Sequence, residues 1–169
     1  MLLLLDASAL LNQPNFVFDE KESYACTYEV LEEFRSMEAK ALVENALNRG
    51  LLRVHRPKHK YKSKAKKLVT KKGFTKMSKA DVSVLALAMQ FKDEQKEFLV
   101  LTDDYSIQNF LALLGIPFSS IIQGEIKEVI SFKKCCPACN KEFPASVSLK
   151  KCPDCGVELK TKRVVETRA

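Results

Sequence analysis

Two groups of side chains in this 169-residue chain carry reactive potential. The first is Cys136-x-x-Cys139, followed after twelve intervening residues by Cys152-x-x-Cys155. Two C-x2-C units are the ligand pattern of a zinc ribbon, in which four thiolates close a tetrahedral site and leave no open position. Each unit reads Cys-Pro-x-Cys, a sequence that bends the backbone so that both thiolates meet one ion. Asn140 and Gly156 follow the second cysteine of each unit, and both types enter the left-handed backbone region at low cost. Cys135 adjoins Cys136, but only Cys136 gives matching spacing in both halves. A redox or disulfide use of the pairs is the alternative. Cys26 stands apart and reads as a small buried core residue.

The second group is acidic. Asp6 ends the apolar run Leu2 to Leu5, and Asp103 and Asp104 follow the run Phe98 to Leu101. Asp81 falls in the first turn of an apolar helical pattern that starts at Ser78. Glu29, Glu32 and Glu33 belong to an earlier helical stretch, and a turn of about 3.6 residues puts Glu33 nearest its apolar stripe. Ser8 and Thr102 flank these acids and are placed to orient ligands. Converging carboxylates repel one another and resist ionisation unless a cation neutralises them. All-oxygen ligation suits Mg²⁺ or Mn²⁺. Such a site suits phosphodiester hydrolysis, because the ions orient the phosphate, deprotonate a water and stabilise the leaving oxygen. Each aspartate also has a structural role open to it, since Asp6, Asp81 and Asp104 all precede or begin helical patterns and could cap them. The only histidines, His55 and His59, lie in or beside a lysine-rich segment, so a histidine-built catalytic zinc is not expected. There is no Gly-rich phosphate loop and no nucleophile elbow.

The elements that must position these groups alternate. A strand is expected over Leu2 to Leu5 and a helix from Tyr28 to about Met37, with Thr27 as its cap and Val30, Phe34, Met37 and Ala41 in register. A second helical stretch runs to Arg49 and ends at Gly50. Leu51 to Val54 is a short strand. Arg56 to Lys79 is read as loop and basic helix. The helix from Ser78 is apolar nearly all round over Val82 to Met89, so it must be deeply buried. Phe98 to Leu101 is a strand, Tyr105 to Leu114 a helix closed by Gly115, and Ile116 to Phe118 a last short strand. This order implies an α/β layered domain with a mainly parallel sheet, whose sites form beyond the carboxyl ends of the strands.

Charge is unevenly spread. Between Glu44 and Asp81 there are 13 basic residues and no acid, whereas the remaining chain holds 15 basic and 21 acidic residues. A localised basic patch is what a polyanion-binding surface needs, and a solvated lysine-rich loop is the alternative. Arg56, Lys58, Lys60, Lys62, Lys64 and Lys66 would share one face if extended and would spread around a helix. Lys133, Lys134, Lys141, Lys150 and Lys151 surround the cysteines. All of these would contact phosphates and carry little sequence information. Tyr61 and Phe74 could stack on bases or pack internally. No run reaches the length of a membrane span, and Met1 to Leu5 is too short for a signal-peptide core, so a cytoplasmic location is expected.

Leu5-Asp6-Ala7-Ser8-Ala9-Leu10, Glu33, Ser78-Lys79-Ala80-Asp81 and Leu101-Thr102-Asp103-Asp104 resemble the motifs of the PIN-domain ribonucleases. The resemblance implies a PIN-like three-layer α/β domain with catalytic Asp6, Glu33, Asp81 and Asp104. Asp6, Asp81 and Asp104 would hold Mg or Mn, with Asp103, Ser8 and Thr102 as weaker candidates. Joined to a four-cysteine ribbon, the chain is similar to the archaeal form of the ribosome assembly endonucleases that trim the 3′ end of precursor small-subunit rRNA. Thr102 to Asn109, with its Gln108-Asn109 pair, and Glu29 to Arg35 resemble that group as well. The expected division is a nuclease domain over 1–122, a linker over 123–134, a zinc ribbon over 135–160 and a basic tail over 161–169. The expected partners are precursor rRNA and the pre-ribosomal particle. A toxin-type PIN ribonuclease and a non-catalytic RNA-binding assembly factor are the alternatives.

Overall fold

The computed structural model describes residues 1–13, 16–74, 76–122 and 124–166. Gln123, where the linker was expected to begin, and tail residues 167–169 lie outside the described residues.

The chain opens with β1 (Leu2–Leu5) and α1 (Ala7–Leu11), then β2 (Ser23–Thr27) and α2 (Tyr28–Leu31). Next come α3 (Met37–Asn48), β3 (Leu52–His55), α4 (His59–Lys71) and α5 (Lys79–Asp93). After these follow β4 (Phe98–Leu101), α6 (Tyr105–Leu113) and β5 (Phe118–Ser119). The five strands form one sheet in the order β3-β2-β1-β4-β5, and every pairing is parallel. Strand order reverses between β1 and β4, the switch point where loops diverge and leave a crevice beyond the strand ends. Asp6 and Thr102 to Asp104 leave the sheet at that point.

The all-round apolar stretch behaves as its composition dictates. From Ser83 to Phe91 every residue of α5 is buried. Leu4, Leu5, Val84, Leu85, Phe91, Val100 and Phe110 lie at the centre of the core.

Three expectations need correction. The helix expected from Tyr28 to Met37 ends at Leu31, and α3 begins afresh at Met37, where the Ser36 hydroxyl accepts the Ala39 N–H. Met37 is therefore on the surface, 83% exposed, rather than on an apolar stripe. Strand β2 was not anticipated. The expected linker and tail are largely strand: β6 (Val129–Cys135) pairs antiparallel with β8 (Lys160–Glu166) along its whole length, and β7 (Glu142–Pro144) adds to its other edge. Val129 and Ser131 are buried while their neighbours are less so, the period of a half-buried strand. The basic residues in both segments masked that alternation.

The β6 sheet is seated directly on the nuclease-like layer. The Asn109 amide on α6 donates to the Ile130 carbonyl at 2.9 Å and accepts the Ile130 N–H at 2.6 Å. The Gln108 amide donates to Thr102 O at 3.1 Å and accepts the Ile126 N–H at 3.0 Å. Phe74 lies edge-on to Phe110 and Phe132, with ring centroids 4.9 and 5.2 Å away.

Candidate active site

Asp6 is 3% exposed at the end of β1. It stands at the N-cap position of α1, but its side chain makes no capping hydrogen bond there. Its Oδ2 instead accepts from Ser8 Oγ at 2.6 Å and from Thr102 Oγ1 at 2.9 Å. Those hydroxyls in turn accept the N–H groups of Asp103 at 2.9 Å and Asp104 at 3.1 Å. Each hydroxyl thus accepts an N–H and donates to Oδ2, and the two hydroxyl oxygens stand 3.4 Å from each other. Burial pushes the Asp6 carboxyl up to about 6; the two hydroxyl bonds work against the rise, and the charge of Asp81 adds to it.

Asp81 and Asp104 do cap helices. Asp81 Oδ2 accepts the Ser78 N–H at 2.7 Å while Ser78 Oγ accepts the Asp81 N–H at 3.1 Å, a complete capping box on α5. Asp104 Oδ1 accepts the N–H groups of Ser106 at 2.6 Å and Ile107 at 3.2 Å. In each case the second carboxylate oxygen is outside the cap. Both side chains line a cleft of about 540 Å³ whose other residues include Lys76, Met77, Ser106, Ile130, Phe132 and Thr161. Glu33 follows α2 rather than standing on a helix, yet it reaches the same neighbourhood by accepting the Ser78 hydroxyl at 3.3 Å.

Asp103 is turned elsewhere. Its Oδ1 accepts from Ser120 Oγ at 2.5 Å and from the N–H groups of Ile121 and Ile122 at 2.9 and 3.0 Å, which pins the loop after β5. Glu29 pairs with Lys62 at 2.5 Å; burial opposes its charge, but Lys62 and Arg56 outweigh this and hold its carboxyl below the ordinary range.

Among the described residues, only the four cysteines form a group of three or more His, Cys, Asp or Glu donors close enough to hold one ion directly. The acids therefore converge more loosely than the cysteines, and Asp81 and Asp104 each give one oxygen to a helix cap. This spacing fits a hard, strongly hydrated ion. Mg²⁺ keeps several waters and is held directly by one or two carboxylates. Asp6, with one oxygen held by hydroxyls and its charge disfavoured by burial, is a group that a cation would stabilise as the carboxylate.

The cysteine cluster is built by two near-identical turns. Asn140 N–H donates to Cys136 O and Gly156 N–H to Cys152 O, each at 2.9 Å, with φ of 59° and 70° at those two residues. The thiol sulfurs of all four cysteines lie within 4.8 Å of one another. The four thiols compete for one another's charge: N–H groups of Cys139 and Ala138 draw the Cys136 thiol down to about 6, while its hydrogen bond to Cys136 pushes the Cys155 thiol up to about 12. Cys135 stays outside, with its thiol on the Cys136 carbonyl at 3.7 Å. The buried Cys26 thiol is pushed up to about 12 by desolvation, which makes it inert packing.

A family model described as the PIN domain of ribonuclease matches residues 3–91, a span that holds Asp6, Glu33 and Asp81. The chain belongs to the PIN-domain ribonucleases. It is 36% identical to Endoribonuclease Nob1 of Methanocaldococcus jannaschii, over 95% of this chain and 77% of that protein. It is 30% identical to Endoribonuclease Nob1 of Methanothermobacter thermautotrophicus, over 95% of this chain and 92% of that protein. These spans run past Asp104 and through the cysteine cluster. Its match to Ribonuclease VapC1 of Thermoplasma acidophilum is 34% identical over 65% of this chain and 54% of that protein. The chain is thus an endoribonuclease of the PIN family, whose chemistry needs a divalent metal.

The basic side chains fall into two kinds around this PIN site. Tyr61, Ala65 and Val69 turn the apolar face of α4 inward, which spreads the lysines over its outer side. Several are occupied: Lys58 pairs with Glu94 at 3.3 Å, Lys62 with Glu29, Lys133 with Glu142 at 3.3 Å, and Lys141 with Asp154 at 2.6 Å. Arg56 lies over the Tyr28 ring and Lys60 over that of Tyr61. Lys134 is spent internally, donating to the carbonyls of Val147 at 2.7 Å and Leu149 at 2.9 Å. Lys64, Lys66, Lys150 and Lys151 remain exposed. The aromatic candidates are packing groups. Tyr61 is buried and donates to Asp93 at 2.9 Å, and Phe74 is wedged between Phe110 and Phe132.

Proposed function

We propose that this PIN endoribonuclease cuts precursor small-subunit rRNA at its 3′ end during ribosome assembly, in the cytoplasm. The observation that carries the reading is the joint match: relatives called Endoribonuclease Nob1 align over 95% of the chain, acids and cysteine cluster together. The VapC1 match is shorter on both chains, which favours this reading over a toxin-type nuclease.

In this reading Asp6, Asp81 and Asp104 hold Mg²⁺ or Mn²⁺ through the oxygens their hydroxyl and capping bonds leave over. When bound, the ion polarises the phosphodiester and makes a water more acidic. Ser8 and Thr102 keep Asp6 Oδ2 engaged and so aim Oδ1. Glu33, held by Ser78 beside the start of α5, accepts the proton that the attacking water loses. Cleavage then leaves a 3′-hydroxyl and a 5′-phosphate. Lys64, Lys66, Lys150 and Lys151, with the paired Arg56, Lys58, Lys60, Lys62 and Lys133, supply the phosphate-binding surface. The nuclease unit over 1–122 does the chemistry. One zinc on Cys136, Cys139, Cys152 and Cys155 holds the ribbon and takes no part in it.

The test is a transcript spanning the 3′ end of precursor small-subunit rRNA, incubated with the protein and Mn²⁺. A single cut at the mature end is expected. Scattered cuts equal to those in an unrelated single-stranded RNA would leave a nuclease but remove the rRNA assignment.

A further inference from the structure

Nothing in the activity requires the ribbon to touch the active site, yet the cleft that holds Asp81 and Asp104 has its other side built from ribbon residues. Ile130 and Phe132 on β6 and Thr161 on β8 line it. The ribbon strand is held there by three backbone-level bonds: both groups of Ile130 to the Asn109 amide, and the Phe132 N–H to Lys72 O at 3.0 Å. Asn109 is 2% exposed, so those bonds are shielded from water. Contact is close enough that a Cβ on Gly73 would stand 2.7 Å from Ala145 Cβ and 2.8 Å from Phe132 Cβ.

A second groove of about 560 Å³ shares Phe74 and Met77 with the cleft, and Lys62, Lys66 and Lys79 line it. The two meet at Phe74 and Met77: a groove along α4 lined by Lys62, Lys66 and Lys79, with Glu29 paired to Lys62, beside a cleft lined by Asp81, Asp104 and ribbon residues. Each stretch has the volume of a small-molecule site, room for a nucleotide or two. An electrostatic groove with polar and apolar walls is how single strands are held without reading sequence.

We propose that the ribbon is a fixed wall of the substrate cleft, that a single RNA strand threads between Thr161 and the acids, and that Asn109 is the positioning residue that holds this wall. The inference rests on the nuclease reading for its ligand but is tested by binding as well as by cutting. The probe is a fluorescently labelled single-stranded oligoribonucleotide titrated with full-length, zinc-loaded protein in Mn²⁺-free buffer. Thr161→Trp fills the cleft from an exposed position, and Val165→Trp puts the same bulk elsewhere on β8, where Val165 is 56% exposed. Thr161→Trp is expected to weaken binding at least tenfold and to raise KM for cleavage by a similar factor, with zinc content unchanged. Val165→Trp should match wild type. Asn109→Leu should raise KM more than it lowers kcat, with zinc retained. Loss of binding in Thr161→Trp from a protein that proves unable to cut would keep the cleft and remove the nuclease reading. Wild-type binding by Thr161→Trp, no binding of the single strand at all, or equal competition by a duplex of the same sequence would overturn the proposal.

Discussion

The cysteine cluster and the acidic end of the parallel sheet both bring together ligand-type side chains, and they do so in opposite ways. Four thiols stand within 4.8 Å of one another because two local turns, each set by a left-handed residue, place them there. The acids are gathered by topology instead. Asp6 and Thr102 are 96 positions apart and meet only because β1 and β4 are neighbours at the switch point. Asp81 and Asp104 each give one oxygen to a helix cap. A locally built site is closed and suits a metal that holds structure. A topologically built site is open, with oxygens left over, and suits a hydrated ion that must also admit substrate.

The largest expected difference between the two regions is their response to metal removal. Structural zinc contributes about 10–16 kcal/mol in small zinc domains. Chelation, or Cys152→Ser, should therefore unfold residues 136–159 and weaken RNA binding while leaving the parallel sheet intact. Hydrogen exchange resolved by segment checks this. Loss of protection in β1 and β4 as well would show that the two regions fold as one.

Next is the pH response of the acidic end. The Asp6 carboxyl sits at about 6 in the folded chain, above its value of 3.8 in the unfolded chain. Between those values the folded state binds the extra proton, so stability without divalent metal should fall as pH rises from about 4 to 6. Asp6→Asn should remove that slope and raise stability above pH 6, on the order of 2–3 kcal/mol if the shift is fully expressed. Urea denaturation across pH reads it. A slope unchanged in the variant would contradict the burial of this charge.

Smaller again is the seam between the regions. Gly73→Ala adds a Cβ against Phe132 and Ala145 at a φ of +84°, and should cost about 1–3 kcal/mol, seen as a lowered Tm. Smallest is the lysine contrast. Lys66→Gln should lessen the salt dependence of single-strand RNA binding by about 0.7 in slope if it holds one phosphate, while Lys134→Gln should change the ribbon's stability and leave that slope alone.

What the sequence revealed follows the same division. The clustering of the four cysteines, the capping box at Ser78 and Asp81, the buried run of α5 and the left-handed positions of Asn140 and Gly156 are all local, and each stands where its residues imply. Strand β2 and the pairing of β6 with β8 depend on neighbours distant in sequence, and lysines covered the alternation that could have revealed them. Asp103 and Asp104 are told apart in the sequence only by the family resemblance, which ranks Asp103 lower. The residues themselves do not show why, and the loop after β5, which Asp103 holds, supplies the reason. Gln108 and Asn109 stand out in the sequence as a pair, but their work, satisfying the backbone of the segment that leads into the ribbon, is set by the fold.

The account turns on whether the acids do more than cap helices, and Asp104→Asn separates the two roles. Asparagine caps a helix about as well as aspartate, so the fold should change by no more than a few tenths of a kcal/mol. The charge proposed to hold a divalent ion is lost. Measured with single-stranded RNA and Mn²⁺, cleavage by Asp104→Asn is predicted to fall by about a hundredfold or more, the scale of losing one electrostatic element of an active site. Cleavage at the wild-type rate by a folded Asp104→Asn protein would contradict it.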